Sequence, residues 1–262
     1  MSKIKVVLFD LGSTLVYSKD PWPPIYEQAD RALVEVLGRD GIEIDPVAFY
    51  TEFGGFIRSY YDKPAEDNLE KTTFSVLRDM LSRKGFQAVP EPVLRAALQA
   101  LYAITQQNWY LEEDAIPTLE TVKSRGYRLG LISNTSDDKN VQGIVDNWGL
   151  RPFFETIVTS AALGIRKPDA RIFRVALDHF QVQPEAAAMV GDMLDADVLG
   201  ANRLGIYSIW ITHRAQVLVE GELAIQPQAV VTALHQIPDL LAEVENEHRS
   251  SGANPAEEMP KG

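Results

Sequence analysis

The feature that most constrains this chain is a recurring unit. A short, β-branched apolar run stops at a polar or glycine-containing turn, and an amphipathic helical pattern follows. The first run covers residues 4–9 and stops at Asp10-Leu11-Gly12-Ser13. Later runs are Leu129–Ile132 before Ser133-Asn134, Thr156–Val158, Ala188–Val190 before Gly191-Asp192, and Ile206–Ile211. Runs this short and continuously apolar read as strands buried on both faces. Helical patterns separate them at about 115–125, 138–148, 169–180 and 196–204. This alternation predicts an α/β fold, a Rossmann-like parallel sheet with helices on both faces. Ligand sites in such sheets form at the carboxyl ends of strands, and Asp10, Ser133 and Asp192 each stand just after a predicted strand.

Residues 17–110 break the alternation. Convincing strand runs are absent, and helical patterns cover Ile25–Leu37, Val47–Tyr60, Leu69–Lys84 and Pro92–Gln106. Leu33, Val36 and Leu37 share one face, as do Phe74, Leu77, Met80 and Leu81. The expected organisation is therefore a core of residues 1–16 and 111–245 and an all-helical cap of residues 17–110. Tyr17–Pro24 and Trp109–Asp114 are candidate hinges. Residues 246–262 are polar and poor in large apolar side chains, and are expected to be a disordered tail. Tyr17, Trp22, Arg58, Tyr61, Lys63 and Lys71 are candidates to line the space under the cap. Trp109, beside the second hinge, is read as packing, and His213 follows the last strand closely enough to be of interest.

The net charge of −12 bears on partners. An acidic surface repels nucleic-acid backbones and anionic lipid, so neither is an expected partner. It also repels a phosphorylated ligand, so any phosphate site must be made locally positive. The chain has no Cys, which excludes thiol catalysis and thiolate metal sites and suits a cytoplasmic location. No apolar stretch approaches a membrane span. Either a monomer or a homodimer is compatible with the helical cap.

Four short pieces concentrate the polar residues. They are FDLGST at 9–14, LISN at 131–134, Lys167 within RKPD at 166–169, and GDMLDAD at 191–197. Each alone is an ordinary cap, turn or surface residue. Their order, spacing and strand-end placement together resemble the four signature motifs of the haloacid-dehalogenase-like hydrolase superfamily. ALGIRKPDARIFRVALDHF and MVGDMLDADVLGANRLGI are especially similar to its capped, phosphatase-like members. The resemblance spans roughly residues 4–245.

It implies a Mg²⁺-dependent hydrolase acting on a small phosphorylated metabolite through an aspartyl-phosphate. Asp10 is then the nucleophile. Asp10, Asp192 and the Gly12 carbonyl are the implied metal ligands, all oxygens as Mg²⁺ prefers. Ser133 donates to a phosphoryl oxygen, and Lys167 places a positive charge near the transferring group. Asp197 orients Lys167 or a metal-bound water, whereas Asp195 is a variable turn residue. Backbone N–H groups of the Leu11–Thr14 turn cradle phosphate, with Ser13, Thr14 and Asn134 as phosphate- or substrate-binding residues; Thr14 braces the turn and Asn134 lines the site.

The sequence departs from the family pattern at one place. Phosphatases of this type usually carry a second Asp two residues after the nucleophile as acid and base, and here that residue is Gly12. Three readings follow: a phosphatase whose acid–base step is met otherwise, a dehalogenase-like or phosphonatase-like hydrolase, or a phosphate-binding regulator of low activity. The retained Gly191-Asp192 pair favours the first over a dehalogenase. A phosphonatase-like reaction would need a cap lysine, with Lys19, Lys63 and Lys71 as candidates.

Overall fold

The structure, a computed structural model, describes residues 3–57, 68–215 and 224–252, with side chains to residue 246. Its centre is a parallel sheet of six strands among the described residues. Strands β1 (Val6–Phe9), β4 (Arg128–Ser133), β5 (Thr156–Thr159), β6 (Ala187–Gly191), β7 (Tyr207–Ile211) and β8 (Ala229–Val231) lie in the order β5-β4-β1-β6-β7-β8. All neighbouring pairs are parallel, and β1 sits between β4 and β6.

The apolar runs lack polar alternation because both sheet faces are covered. Val7 and Phe9 pack into one cluster with α5 (Ala115–Ser124), α6 (Asp138–Asn147) and α10 (Ile237–Gly252), through Leu119, Val145 and Leu241. Val6 and Leu8 point the other way, against Phe173, Ala176 and Phe180 of α8 (Ala170–Phe180). Side chains alternate across a strand with a period of two, so a strand between two helical layers is apolar at every position.

The inserted segment is helical: α1 (Trp22–Arg39), α2 (Pro46–Phe49) running into a π-turn at Tyr50–Gly54, α3 (Thr73–Arg83) and α4 (Glu91–Thr105). Its own apolar core contains Leu33 and Leu37 of α1, Leu77, Met80 and Leu81 of α3, and Leu94 and Leu98 of α4. Each such side chain contributes about 1.5–3 kcal/mol when fully buried. Proline at the first turns of α1 and α4 fits positions that need no N–H donor. The Thr72 side chain caps α3 by accepting from the Ser75 N–H.

The expected hinges hold a structure not anticipated from the sequence. β2 (Val16–Ser18) pairs antiparallel with β3 (Trp109–Leu111), Tyr17 opposite Tyr110. The boundaries expected at residues 16/17 and 110/111 fall inside this two-stranded clasp. Strands of three residues leave too few positions for a periodic signal, and the pairing joins positions far apart in the chain, as do two further hydrogen bonds between Asp20 and Asn108, 88 positions apart. β8 was missed for the same reason of length. α10 reaches Gly252, beyond residue 246 where the sequence places the start of a tail. Residues 253–262 lie outside the described residues, as do Arg58, Tyr61 and Lys63. No helix among the described residues is long and apolar enough to cross a membrane.

Candidate active site

Three adjacent strands deliver their carboxyl ends to one crevice. β1 ends just before Asp10, β4 ends with Ser133, and β6 ends just before Asp192. The strand order reverses around β1, the place where an open α/β sheet leaves a crevice for a ligand. Asp10, Asp192 and Asp197 are all buried here, and a carboxylate oxygen from each lies within 4.8 Å of the others. Lys167 is 3% exposed and enters from the loop before α8. Its ammonium donates to Asp10 Oδ1 at 2.6 Å and to the Ile132 carbonyl at 2.8 Å. It also pairs with Asp197 Oδ1 at 2.6 Å. The ammonium is thus held by two hydrogen bonds and one further ion pair.

Two groups hold the Lys167 loop. Asn134 clamps the backbone of Lys167, its amide Oδ1 accepting from the Lys167 N–H (2.8 Å) and its Nδ2 donating to the Lys167 carbonyl (3.1 Å). From the cap side, residues 68–73 lie along the same loop. Arg166 N–H donates to the Asn68 carbonyl, and Glu70 N–H to the Gly164 carbonyl, each at 3.0 Å. The buried Glu70 carboxylate accepts from the Ser160 hydroxyl at 2.7 Å.

Asp197 reaches Lys167 only because residue 191 is glycine. A Cβ at Gly191 would stand 2.2 Å from Asp197 Oδ2, and the backbone there is fixed by pairing with Trp210. Asp197 also accepts from the Met193 N–H at 3.1 Å. Gly191→Ala is therefore expected to push the Asp197 carboxylate aside and misplace Lys167. A misplacement of about 1 Å in such a site costs on the order of 10²-fold in rate. Steady-state hydrolysis by this variant checks it, and near-wild-type kcat would show that the Asp197–Lys167 contact is dispensable.

The charges do not balance. Three carboxylates face one ammonium. Burial pushes the Asp10 carboxyl up to about 6, against the pull of Lys167 and with the Asp197 charge adding to the rise. Burial, then the charges of Asp10 and Asp197, push Asp192 up to about 8. Lys167 moves above the ordinary lysine range: burial opposes its charge, but Asp10 and Asp197 outweigh it. A buried cluster left short of positive charge, made only of oxygen donors, suits a hard divalent cation.

A cavity of about 210 Å³ opens over these groups and includes Asp10, Gly12, Ser13, Ser133, Lys167 and Asp192 in its lining. Most residues singled out in the sequence therefore converge. Two details differ from expectation. The Ser13 N–H, in a left-handed backbone conformation (φ 57°), already donates to the Val16 carbonyl at 2.6 Å, so this amide of the turn is not open to phosphate. Thr14 borders a neighbouring cavity, not the one over Asp10, and its buried hydroxyl has no hydrogen-bond partner among the described residues. Asn134 lines the cavity as expected, and its amide also bonds the Lys167 backbone. His213 and Tyr17 also line the neighbouring cavity. Lys71 and Lys19 line neither the Asp10 cavity nor the larger one beside it.

Trp109 packs against the core, as expected, and it also lines the cavity over Asp10. Its indole faces position 12, where a Cβ would meet it at 3.5 Å. The β2–β3 clasp aims it there, and Trp148 Nε1 holds its carbonyl at 3.1 Å. The sequence marks Trp109 as an aromatic near a hinge. The direction of its ring follows from a strand pairing that has no local signature.

A parallel sheet with three buried carboxylates and a paired lysine at its carboxyl edge is the frame of this site. The chain belongs to the haloacid dehalogenase-like hydrolase family, whose model matches residues 4–205. It is 31% identical over 252 residues to the glyceraldehyde 3-phosphate phosphatase of Pyrococcus furiosus, covering 95% of this chain and 97% of that one. It is 39% identical over 222 residues to haloacid dehalogenase-like hydrolase domain-containing protein 3 of mouse, covering 80% and 82% of the two chains. In fold it resembles the crystal structure of a HAD phosphatase from Thermococcus onnurineus, with a TM-score of 0.62 at 22% identity over 91% of this chain and 98% of that chain.

Proposed function

We propose that this protein hydrolyses phosphate monoesters of small molecules, with Asp10 as the nucleophile and Mg²⁺ as the cofactor. The observation that carries the reading is the Lys167 ammonium held between Asp10 and Asp197, with Asp192 alongside, in a buried and still over-acidic crevice. The similarity to a named phosphatase over almost the whole chain supports the phosphoryl chemistry.

An oxygen of Asp10 attacks phosphorus as the bond from phosphorus to the leaving oxygen breaks. The leaving group departs with that electron pair. Water then attacks the aspartyl-phosphate, breaking its bond to Asp10 and releasing inorganic phosphate. Lys167 holds Asp10 in one orientation and lowers the charge that an incoming phosphate meets. Asp197 fixes Lys167, and Asn134 fixes its backbone. Asp10 and Asp192, with the Gly12 carbonyl, are the groups that would hold Mg²⁺, which when bound neutralises phosphate charge and aligns the attack. Ser133, buried at the end of β4 and lining the cavity, would donate its hydroxyl hydrogen to a phosphoryl oxygen. Neither Lys19 nor Lys71 stands where a phosphonatase-like Schiff base would need it.

Gly12 offers no acid to protonate the leaving group. Such a proton transfer is worth about 10²–10⁴-fold, so substrates whose leaving groups depart unprotonated are favoured: acyl, aryl and anomeric phosphates over simple alkyl esters. The test is phosphate release from a graded series of esters, with Mg²⁺ and with EDTA. The expected outcome is release that EDTA abolishes and a kcat/KM that falls as the leaving-group pKa rises. Halide release from 2-haloacids in EDTA, with no phosphate from any ester, would overturn the proposal. A flat dependence on leaving-group pKa in the chemical step would show that another residue serves as the acid.

A further inference from the structure

Residues 68–73 of the insert touch two loops of the core at once. Leu69 forms an antiparallel bridge with Ile165, flanked by the bonds of Arg166 to Asn68 and of Glu70 to Gly164. This rung ends at the residue before Lys167. Further along, the Thr73 N–H donates to the Ser136 carbonyl at 2.9 Å, and the Thr73 hydroxyl bonds the Ser136 hydroxyl at 2.7 Å. Ser136 belongs to the loop that follows β4 and begins with Ser133 and Asn134. One end of the segment therefore lies on the Lys167 loop and the other on the Ser133 loop.

Glu70 joins the two. Its side chain is wholly buried, outside any helix or strand. Its Oε2 accepts from the Ser160 hydroxyl at 2.7 Å and stands 4.0 Å from Arg166 Nε. Ser160 opens α7 (Ser160–Leu163) and is itself fully buried. Its oxygen accepts from the Thr135 N–H at 2.8 Å and lies 3.0 Å from the Thr135 carbonyl. Glu70 thus reaches the backbone beside Asn134 through Ser160, and the residue before Lys167 through Arg166. Asn134 clamps the Lys167 backbone by two hydrogen bonds, so both routes end on one clamp.

A buried carboxylate is a costly way to fill space. Buried ion pairs add little net stability over apolar side chains of the same size, and their best attested use is to fix one register. An apolar side chain at position 70 could fill the volume, but could neither accept from Ser160 nor pair with Arg166. The charge stands where the insert meets both loops, and the proposed chemistry uses neither Glu70 nor Ser160.

We infer that Glu70 is a positioning residue for the hydrolysis proposed above: through Ser160 and Arg166 it seats the insert in one register on the loops of Asn134 and Lys167, and so sets where the Lys167 ammonium stands. The inference rests on that hydrolase reading. Lys167 serves Asp10 and the transferred phosphoryl group, which every substrate shares. Loss of Glu70 therefore lowers kcat by one factor whatever the leaving group. A contact with the body of the substrate would instead appear in KM and vary with the leaving group.

The test is steady-state kinetics with Mg²⁺ on phenyl phosphate and acetyl phosphate, well below the Tm of each variant. Glu70→Ala and Ser160→Ala should each lower kcat by about tenfold or more, toward the order of 10²-fold that a displacement of about 1 Å costs. Both phosphates should fall by the same factor to within about twofold, with KM within about threefold of wild type. Glu70→Gln, whose amide oxygen can still accept from Ser160, should recover most of the loss. The double variant Glu70→Ala/Ser160→Ala should be no worse than Glu70→Ala, because both substitutions remove one contact. Alanine variants with kcat within about twofold of wild type, whatever their Tm, overturn the inference, since a purely structural residue leaves kcat unchanged. A loss confined to KM or to one phosphate overturns it too, and either result leaves the hydrolase reading standing. No phosphate from either compound with the wild type overturns both. Ser160→Ala, which removes a single oxygen, decides the matter even if Glu70→Ala does not fold.

Discussion

Asp10→Asn should abolish phosphate release without unfolding the protein. The amide has the carboxylate's shape and keeps an oxygen to accept from Lys167, now 2.6 Å from Asp10 Oδ1. It is a far weaker nucleophile, and removing a nucleophile typically costs on the order of 10⁴–10⁶-fold in kcat. The site holds three carboxylates against one ammonium, and burial has already pushed Asp10 up to about 6. Removing one negative charge relieves that repulsion, so in EDTA the variant should melt at or above the wild-type temperature. A functional group that costs stability is the usual signature of an active site. Phosphate release and thermal unfolding on the same preparation check both halves. Residual activity above about one part in a hundred, far more than nucleophile loss allows, would remove Asp10 from the proposed role.

Lys167→Met should give the largest loss of stability. The side chain is nearly fully buried, so a similar apolar chain can fill its volume, but nothing replaces the charge. Asp10, Asp197 and the Ile132 carbonyl lose their shared donor together. Breaking a buried ion pair by removing one member typically costs about 3–5 kcal/mol, because the other is left uncompensated. At roughly 2–4 °C per kcal/mol for a chain of this size, Tm should fall by about 6–20 °C in EDTA. Adding Asp197→Asn should recover part of the loss, since the two side chains touch and their effects are not additive. A Tm within about 2 °C of wild type, below the shift for 1 kcal/mol, would mean that the carboxylates are balanced by another group.

These two variants separate what local sequence shows from what it hides. That Asp10, Ser133 and Asp192 end strands was legible, because an unbroken apolar run beside a polar stop is a signal contained in six or seven residues. The helical insert was legible for the same reason, through the stripes of Leu33 and Leu37 and of Leu77, Met80 and Leu81. The clasp of β2 and β3 was not. It spans three residues a side, its aromatic composition suits several structures, and it positions Trp109 only after the insert between its strands has folded. Trp22 was only one of several aromatic or cationic candidates in the cap, though it lines the larger cavity beside Trp109, and Glu70 was not singled out at all. Leu69–Lys84 reads as one helical stretch, whereas α3 begins at Thr73 and the residues before it run along the Lys167 loop.

The sequence by itself determined the α/β class, the helical insert and the strand-end acids, because hydrophobic period and turn chemistry act over one or two turns of chain. Only the folded chain brings Lys167 against Asp10, Asp197 and Ile132, partners separated by up to 157 residues. Tertiary structure also decided that Gly191 lets Asp197 approach, that Asn134 serves the lysine's backbone, and that an indole stands against Gly12. The physical reason is that the charge balance and shape of a buried site depend on which distant segments close on one another. No window of residues contains that information before the sheet has formed.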